Sequence, residues 1–147
     1  MRPMSEMVSR WPVLISPSLE PDDVDNDGRL TLAGAERLAA EARDAYIGSC
    51  RTLDGAAIEV ERSKVVIGRA SVEDGVTVST AATELFPDSF VMSTRIRPAG
   101  GPSGPLSGRR GPVVAADVTT TVGIGGGLGT DVRDEMISLA HSASHYH

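Results

Sequence analysis

Apolar residues recur along this chain at two different periods. Leu30, Ala35, Leu38, Ala39, Ala42 and Tyr46 fall on one stripe of an α-helix. Glu36, Arg37, Glu41, Arg43 and Asp44 fill the opposite face, with Arg37 and Glu41 spaced as an i,i+4 ion pair. The stripe predicts a helix over 32–49, with Gly48 marking its end. Its buried side is mostly alanine, so the helix can lie very close to whatever covers it.

Beyond the helix the period drops to two. Ile58 to Val72 is rich in Val and Ile, Asp74-Gly75 reads as a hairpin turn, and Val76-Thr77-Val78-Ser79 resumes the strand pattern. Pro87-Asp88-Ser89 is another turn, followed by alternation at Phe90, Met92, Thr94 and Ile96. Pro112 to Val122 reads as a further strand, and residues 9–16, with Trp11 to Ile15, as the first. A short helix over 130–145 closes the chain. The order is strand, helix, four strands, helix. That argues for an α+β fold with an antiparallel sheet of about five strands, the whole of 1–147 forming a single domain.

Composition narrows the function classes. Lys+Arg 14 against Asp+Glu 20 leaves a net charge of −6, which opposes nonspecific binding to nucleic acid. The aromatic residues are Trp11, Tyr46, Tyr146, Phe86 and Phe90, too few for a base-stacking surface. Cys50 is alone and cannot form an internal disulfide. No run of about 18 apolar residues predicts a membrane span, and the N-terminus lacks an apolar signal core. A cytoplasmic protein is expected, without a membrane or nucleic-acid partner.

Three polar or glycine-rich features carry little chemistry. Gly123 to Gly129 follows a strand and precedes a helix, but Leu128 stands where a dinucleotide fingerprint needs its last glycine, so it reads as a flexible connector. The stretch 99–111 reads as a flexible loop, whose Arg109 and Arg110 are taken as solvated. His141 and His145 are spaced i,i+4, but no third ligand accompanies them, and no metal is expected there.

The chemistry concentrates in Asp23-Val24-Asp25-Asn26-Asp27-Gly28-Arg29, directly ahead of the helix. Counted as a calcium loop from Asp23, the first, third and fifth positions are aspartates and the sixth is Gly28. The twelfth position, which should supply a bidentate carboxylate, is Gly34, and Glu36 falls beyond it. An EF-hand-like calcium-binding module therefore stays an alternative with an incomplete ligand set. A solvated acidic turn that caps the helix is the plainer alternative.

The same residues resemble the catalytic loop of hotdog-fold thioesterases, in particular the 4-hydroxybenzoyl-CoA and short-chain acyl-CoA thioesterase group. Members of that group read Asp-x-Asp-x-x-Gly before the helix, matched here from Asp23 to Gly28, with Glu41-Ala42-Arg43 at the matching helix position. Arg10-Trp11-Pro12-Val13 is similar to the first strand of some members, and Thr130 to Ala140 to their closing helix. The chain departs from the group at Arg29-Leu30-Thr31-Leu32, where many members read His-Val-Asn-Asn. It departs again at Glu73-Asp74-Gly75, which closes abruptly a connection that is usually longer.

The resemblance implies a hotdog fold over 1–147, with the sheet wrapped around one central helix and residues 23–31 as the active-site loop. It implies hydrolysis of thioesters on CoA or an acyl-carrier protein, with no cofactor. Backbone N–H groups at the start of the helix would polarise the thioester carbonyl. Asp25 would attack it or activate a water, with Glu41 as a reserve carboxylate. Gly28, Arg29, Leu30 and Thr31 would contact the substrate. Asp25, flanked by two other carboxylates, would have a raised pKa if buried. A noncatalytic hotdog protein that binds acyl groups or serves as an assembly module remains the other reading. Either way a homodimer or homotetramer is expected, with 113–122 or 65–72 near the interface, since edge strands need partners.

Overall fold

The computed structural model describes residues 12–99 and 114–145, with side chains described as far as residue 140. Strands β1 (Val13–Ile15), β2 (Ile58–Ile67), β3 (Val76–Leu85), β4 (Ser89–Pro98) and β5 (Ala116–Ile124) form one sheet, with helices α1 (Leu32–Ser49) and α2 (Thr130–His145). Every strand pair is antiparallel, and the order across the sheet is β1-β3-β4-β5-β2. The α+β fold expected from the periodicity is the one found. Residues 9–11, the 99–111 loop beyond Ala99, Arg109 and Arg110, Pro112 and the side chains of His141 and His145 lie outside the described residues.

Helix α1 starts where its sequence provides a cap. The Thr31 hydroxyl accepts the Gly34 N–H at 3.0 Å, satisfying one of the first-turn donors. The helix runs through Gly48 and ends when the Cys50 N–H turns back to the Ile47 carbonyl at 3.0 Å. Its buried side is Gly34, Ala35, Leu38, Ala39, Ala42 and Tyr46, and it touches all five strands. One apolar cluster joins Leu30, Ala35, Leu38 and Ala42 to Val72, Val78, Ile96 and Val118. A second joins Tyr46, Cys50 and Leu53 to Phe90, Met92, Val122 and Met136. Burial pushes the Cys50 thiol up to about 11, so it is an inert packing group.

The terminal helix is tied to the end of α1 by one carboxylate. Glu135 accepts the Arg51 and Thr52 N–H groups at 3.0 and 2.9 Å and the Thr52 hydroxyl. Burial alone would raise its pKa, but these donors outweigh burial and hold it below the ordinary value.

The Asp74-Gly75 hairpin expected between β2 and β3 does not form. β2 pairs with β5, matching Ile58 with Ile124, Val60 with Val122 and Val65 with Val118, and stands at the opposite edge of the sheet from β1. Residues 68–75 therefore carry the chain across to β3 as a connection. Its Val72 is wholly buried, and the Asp74-Gly75 turn, closed by the Gly75 N–H on the Val72 carbonyl at 2.9 Å, only redirects the chain. The turn forms as its composition suggests, but β2 pairs with β5 instead, in a register that sets Ile58, Val60, Val65 and Ile67 opposite apolar partners. The Pro87-Asp88 turn does join a hairpin, β3 to β4, with the Phe86 N–H on the Ser89 carbonyl at 2.8 Å.

In this order β5 lies between β4 and β2 and has no free edge for strand pairing. β2 is an edge, and Val60, Val66 and Ile67 are 43, 55 and 37 % exposed along it. Among the described residues no helix is long and apolar enough to cross a membrane.

The alanine face sets how closely α1 approaches the sheet. Ala42→Leu should lose about 1–3 kcal/mol in urea unfolding, because added methylenes have nowhere to go. Ala45→Leu, on the exposed side of the same turn, should stay within about 0.5 kcal/mol of the parent.

Candidate active site

Residues 23–31 form a tight reverse turn whose arms are bridged at Val24 and Leu30. The Asp25 N–H binds the Arg29 carbonyl at 2.8 Å, and the Gly28 N–H returns to the Asp25 carbonyl at 3.1 Å. Gly28 takes φ +80°, a left-handed conformation that a side chain resists. Asp25 stands exposed at this turn, so the condition of burial attached to it is not met. Its Oδ1 accepts the N–H groups of Asp27 at 2.8 Å and Arg29 at 3.0 Å. Both bonds end on one oxygen, and the other takes no part in holding the turn.

Asp23 has a different fate. Only 3 % exposed, it is clasped by Arg37 of α1, Nε to Oδ1 at 3.0 Å and Nη2 to Oδ2, and also accepts the Glu20 N–H at 2.7 Å. The Arg37 hydrogen bond dominates and holds the Asp23 carboxyl below the usual carboxylate range, against the opposing pull of burial. Arg37 in turn has its pKa raised by Asp23. The same guanidinium binds Glu41 at 2.7 Å and the Ser18 carbonyl at 3.1 Å. Glu41, the reserve carboxylate, is thus engaged in an ion pair.

The remaining candidates divide by environment. Leu30 is buried in the first apolar cluster, while Arg29 is exposed. Thr31 both caps α1 and donates its hydroxyl to the Asp22 carbonyl at 2.9 Å. Gly34 is needed for contact: a Cβ there would lie 2.5 Å from the Asp23 carbonyl oxygen and 2.7 Å from its Cα. The Gly34 N–H is taken by Thr31, and the first intrahelical bond is Ala35 N–H to the Thr31 carbonyl. Leu32 and Ala33 therefore supply the unused donors of the first turn.

The three aspartates do not converge as a calcium loop requires. Asp23 turns inward to a guanidinium, and Asp25 commits one oxygen to backbone N–H groups. Among the described residues no group of three or more His, Cys, Asp or Glu side chains is placed to hold a metal ion.

Two side chains that sequence reasoning passed over stand beside this turn. The Val72 N–H binds the Gly28 carbonyl at 2.8 Å, docking the 68–75 connection on the loop. A Cβ at Gly28 would lie 2.7 Å from Glu73 Oε1 and 2.8 Å from Ser71 Oγ. Nothing in the local sequence signals this, since it depends on the path between β2 and β3. The Asp23–Arg37 pair was equally hidden, although Arg37 was visible as a partner for Glu41.

No protein-family model matches the sequence, and no curated protein matches it. Solved structures do match. A thioesterase from Thermus thermophilus, complexed with coenzyme A and Zn, superposes with a TM-score of 0.71 at 20% identity, over 90% of this chain and 98% of that one. YbaW, a probable thioesterase from Escherichia coli, gives 0.60 at 16% identity over 84% of this chain and 86% of its own. A 4-hydroxybenzoyl CoA thioesterase mutant complexed with 4-hydroxybenzoyl CoA gives 0.57 at 16% identity, over 76% and 82%. The fold is accordingly the hotdog fold, a five-stranded antiparallel sheet with its central helix, the sheet not closed.

The Asp23–Arg37 clasp predicts a pH signature. A lowered folded-state pKa contributes stability that is complete above the unfolded value of about 3.9 and is lost as pH falls below it. Arg37→Met, which strands Asp23, should cost about 2–4 kcal/mol at pH 7, Arg37 being partly exposed. Urea titrations should show this deficit narrowing once the pH drops below about 4. A deficit independent of pH would contradict the assignment.

Proposed function

We propose that the protein hydrolyses acyl thioesters carried by CoA or an acyl-carrier protein, with Asp25 as the general base. The observation that carries this reading is the exposed Asp25 carboxylate, fixed by two backbone N–H groups on a turn that runs directly into the capped start of α1. The fold supports it, since its structural neighbours include thioesterases complexed with coenzyme A or an acyl-CoA.

In this reading the thioester carbonyl oxygen sits at the Leu32 and Ala33 N–H groups, where the helix dipole favours developing negative charge. Asp25 removes a proton from a water as it attacks the carbonyl carbon. The tetrahedral oxyanion collapses, the C–S bond breaks, and the thiolate leaves and takes up a proton. Gly28 permits close approach of the chain, and Arg29 is the exposed cation of the loop. No cofactor is required. A cytoplasmic setting fits the single buried cysteine.

The alternative is a noncatalytic acyl-binding or assembly protein. It is favoured by the same two bonds to Asp25 Oδ1, which a purely loop-shaping aspartate would also make.

We also propose a homodimer formed by antiparallel pairing of two β2 edges. A register that sets Val60 opposite Val65 and Ile58 opposite Ile67 also sets Glu61 opposite Lys64. Light scattering should give a dimer at micromolar concentration, and Val60→Lys should shift it toward monomer. A parent that is monomeric at that concentration rejects this interface.

The function is tested with Asp25→Asn, which keeps the acceptor that holds the turn but removes the base. The variant should melt within a few degrees of the parent and lose about 10²–10⁴-fold in turnover of acyl-CoA substrates. Parent-like turnover in the variant removes Asp25 from the chemistry. A parent inactive on a panel of acyl-CoA and p-nitrophenyl thioesters brings the noncatalytic reading forward.

A further inference from the structure

The face of the sheet turned away from α1 carries two side chains whose hydrogen-bonding needs are not met within the chain. On β3 and β4 the buried Val78, Thr80, Thr94 and Ile96 alternate with Thr77, Ser79, Arg95 and Arg97, so the second set lies on the outer face. The register pairs Thr77 with Arg97 and Ser79 with Arg95. Opposite residues stand about 5 Å apart at Cβ, and successive residues on one face about 7 Å, so these four form a compact square. On the inner face the two buried hydroxyls satisfy each other, Thr80 with Thr94 at 2.8 Å. On the outer face Ser79 is only 2 % exposed, and its hydroxyl bonds to no other described residue. Arg97 is half-buried, and its Nε is enclosed without a hydrogen-bond partner. No carboxylate among the described residues pairs with it, and Arg95 beside it is bound through Nε to Asp117 at 3.0 Å. Enclosed polar groups left without a partner are costly, and two of them adjoin here.

We propose that this square is a binding site for a phosphate group. The ligand must bring negative charge and acceptors, since every side chain of the square is a guanidinium or a hydroxyl. It must also offer more than the two oxygens of a carboxylate, because the donors come from four side chains on two strands. A phosphate meets both demands, and an arginine fork joined by hydroxyls suits its oxygens. The source is either free inorganic phosphate or a phosphate ester such as those of CoA. The square lies on the other face of the sheet from α1 and draws nothing from Asp25, so the inference stands apart from the hydrolase reading.

The test is titration of the parent with inorganic phosphate, followed residue by residue in amide NMR spectra. The amides of Thr77, Ser79, Arg95 and Arg97 should shift saturably, and chloride or acetate at equal ionic strength should not reproduce the effect. Arg97→Gln should weaken the affinity about tenfold or more. Ser79→Ala should weaken it severalfold, and it reads the same loss without removing a charge should Arg97→Gln fail to fold. Arg62→Gln, which removes an exposed cation of the same face on β2, should leave the affinity at the parent's value. Parallel titrations with CoA and with pantetheine identify the source. Binding of CoA that depends on Arg97, with pantetheine indifferent to it, assigns the site to the phosphates of CoA. Dependence on Arg97 for inorganic phosphate alone assigns it to the free ion. The absence of a saturable shift with either phosphate or CoA overturns the proposal. So does a response that chloride matches, or an affinity unchanged in both Arg97→Gln and Ser79→Ala.

Discussion

The buried carboxylate of Asp23, gripped by Arg37, is the interaction on which the candidate site depends. It joins the turn to the helix at the point where the turn must be positioned. A buried carboxylate is tolerable only when paired and hydrogen-bonded, and here the Arg37 guanidinium and the Glu20 N–H fill that need for Asp23. Gly34 completes the joint by letting the helix approach the Asp23 backbone without a side chain between them. Asp25 then projects from a turn anchored to the helix, and the first helical turn follows a few residues further along the chain. The two aspartates of one short motif thus act at different levels. Asp23 joins the turn to the helix, and Asp25 is left exposed.

The same demand for close approach runs along the rest of α1. A helix that touches all five strands must present a thin face, and alanine provides it at 35, 39 and 42. Larger side chains enter only where the sheet makes room, at Leu38 and Tyr46. β2 is exposed over most of its length, and Val60 and Ile67 stand partly in water at this edge of the sheet.

The connection between β2 and β3 is the other element on which the site turns. Because β2 lies at the far edge of the sheet, its successor must cross to reach β3. That path takes Ser71 and Glu73 past Gly28. A glycine that would otherwise be explained by its left-handed φ alone has a second reason to be glycine, since two polar side chains fill the space beside it.

The helix, the strand patterns and the acidic composition of the loop were legible in the sequence. The alanine stripe from Ala35 to Tyr46 and the alternation from Phe90 to Ile96 are local signals, and each acts within a few residues. The Asp-x-Asp-x-x-Gly spacing likewise identified the loop to examine. Tertiary structure alone decided the rest, because the deciding contacts join residues far apart in the chain. Asp74-Gly75 has the composition of a hairpin, yet β2 took β5 as its partner, a pairing between residues far apart in the chain that one favourable turn does not decide. Asp23, Asp25 and Asp27 are equivalent as letters. Which is buried, which is exposed and which meets a cation follows from where α1 places Arg37, fourteen residues along the chain from Asp23. Glu73 comes to stand beside Gly28 only because the chain crosses the sheet between β2 and β3, which no local pattern describes.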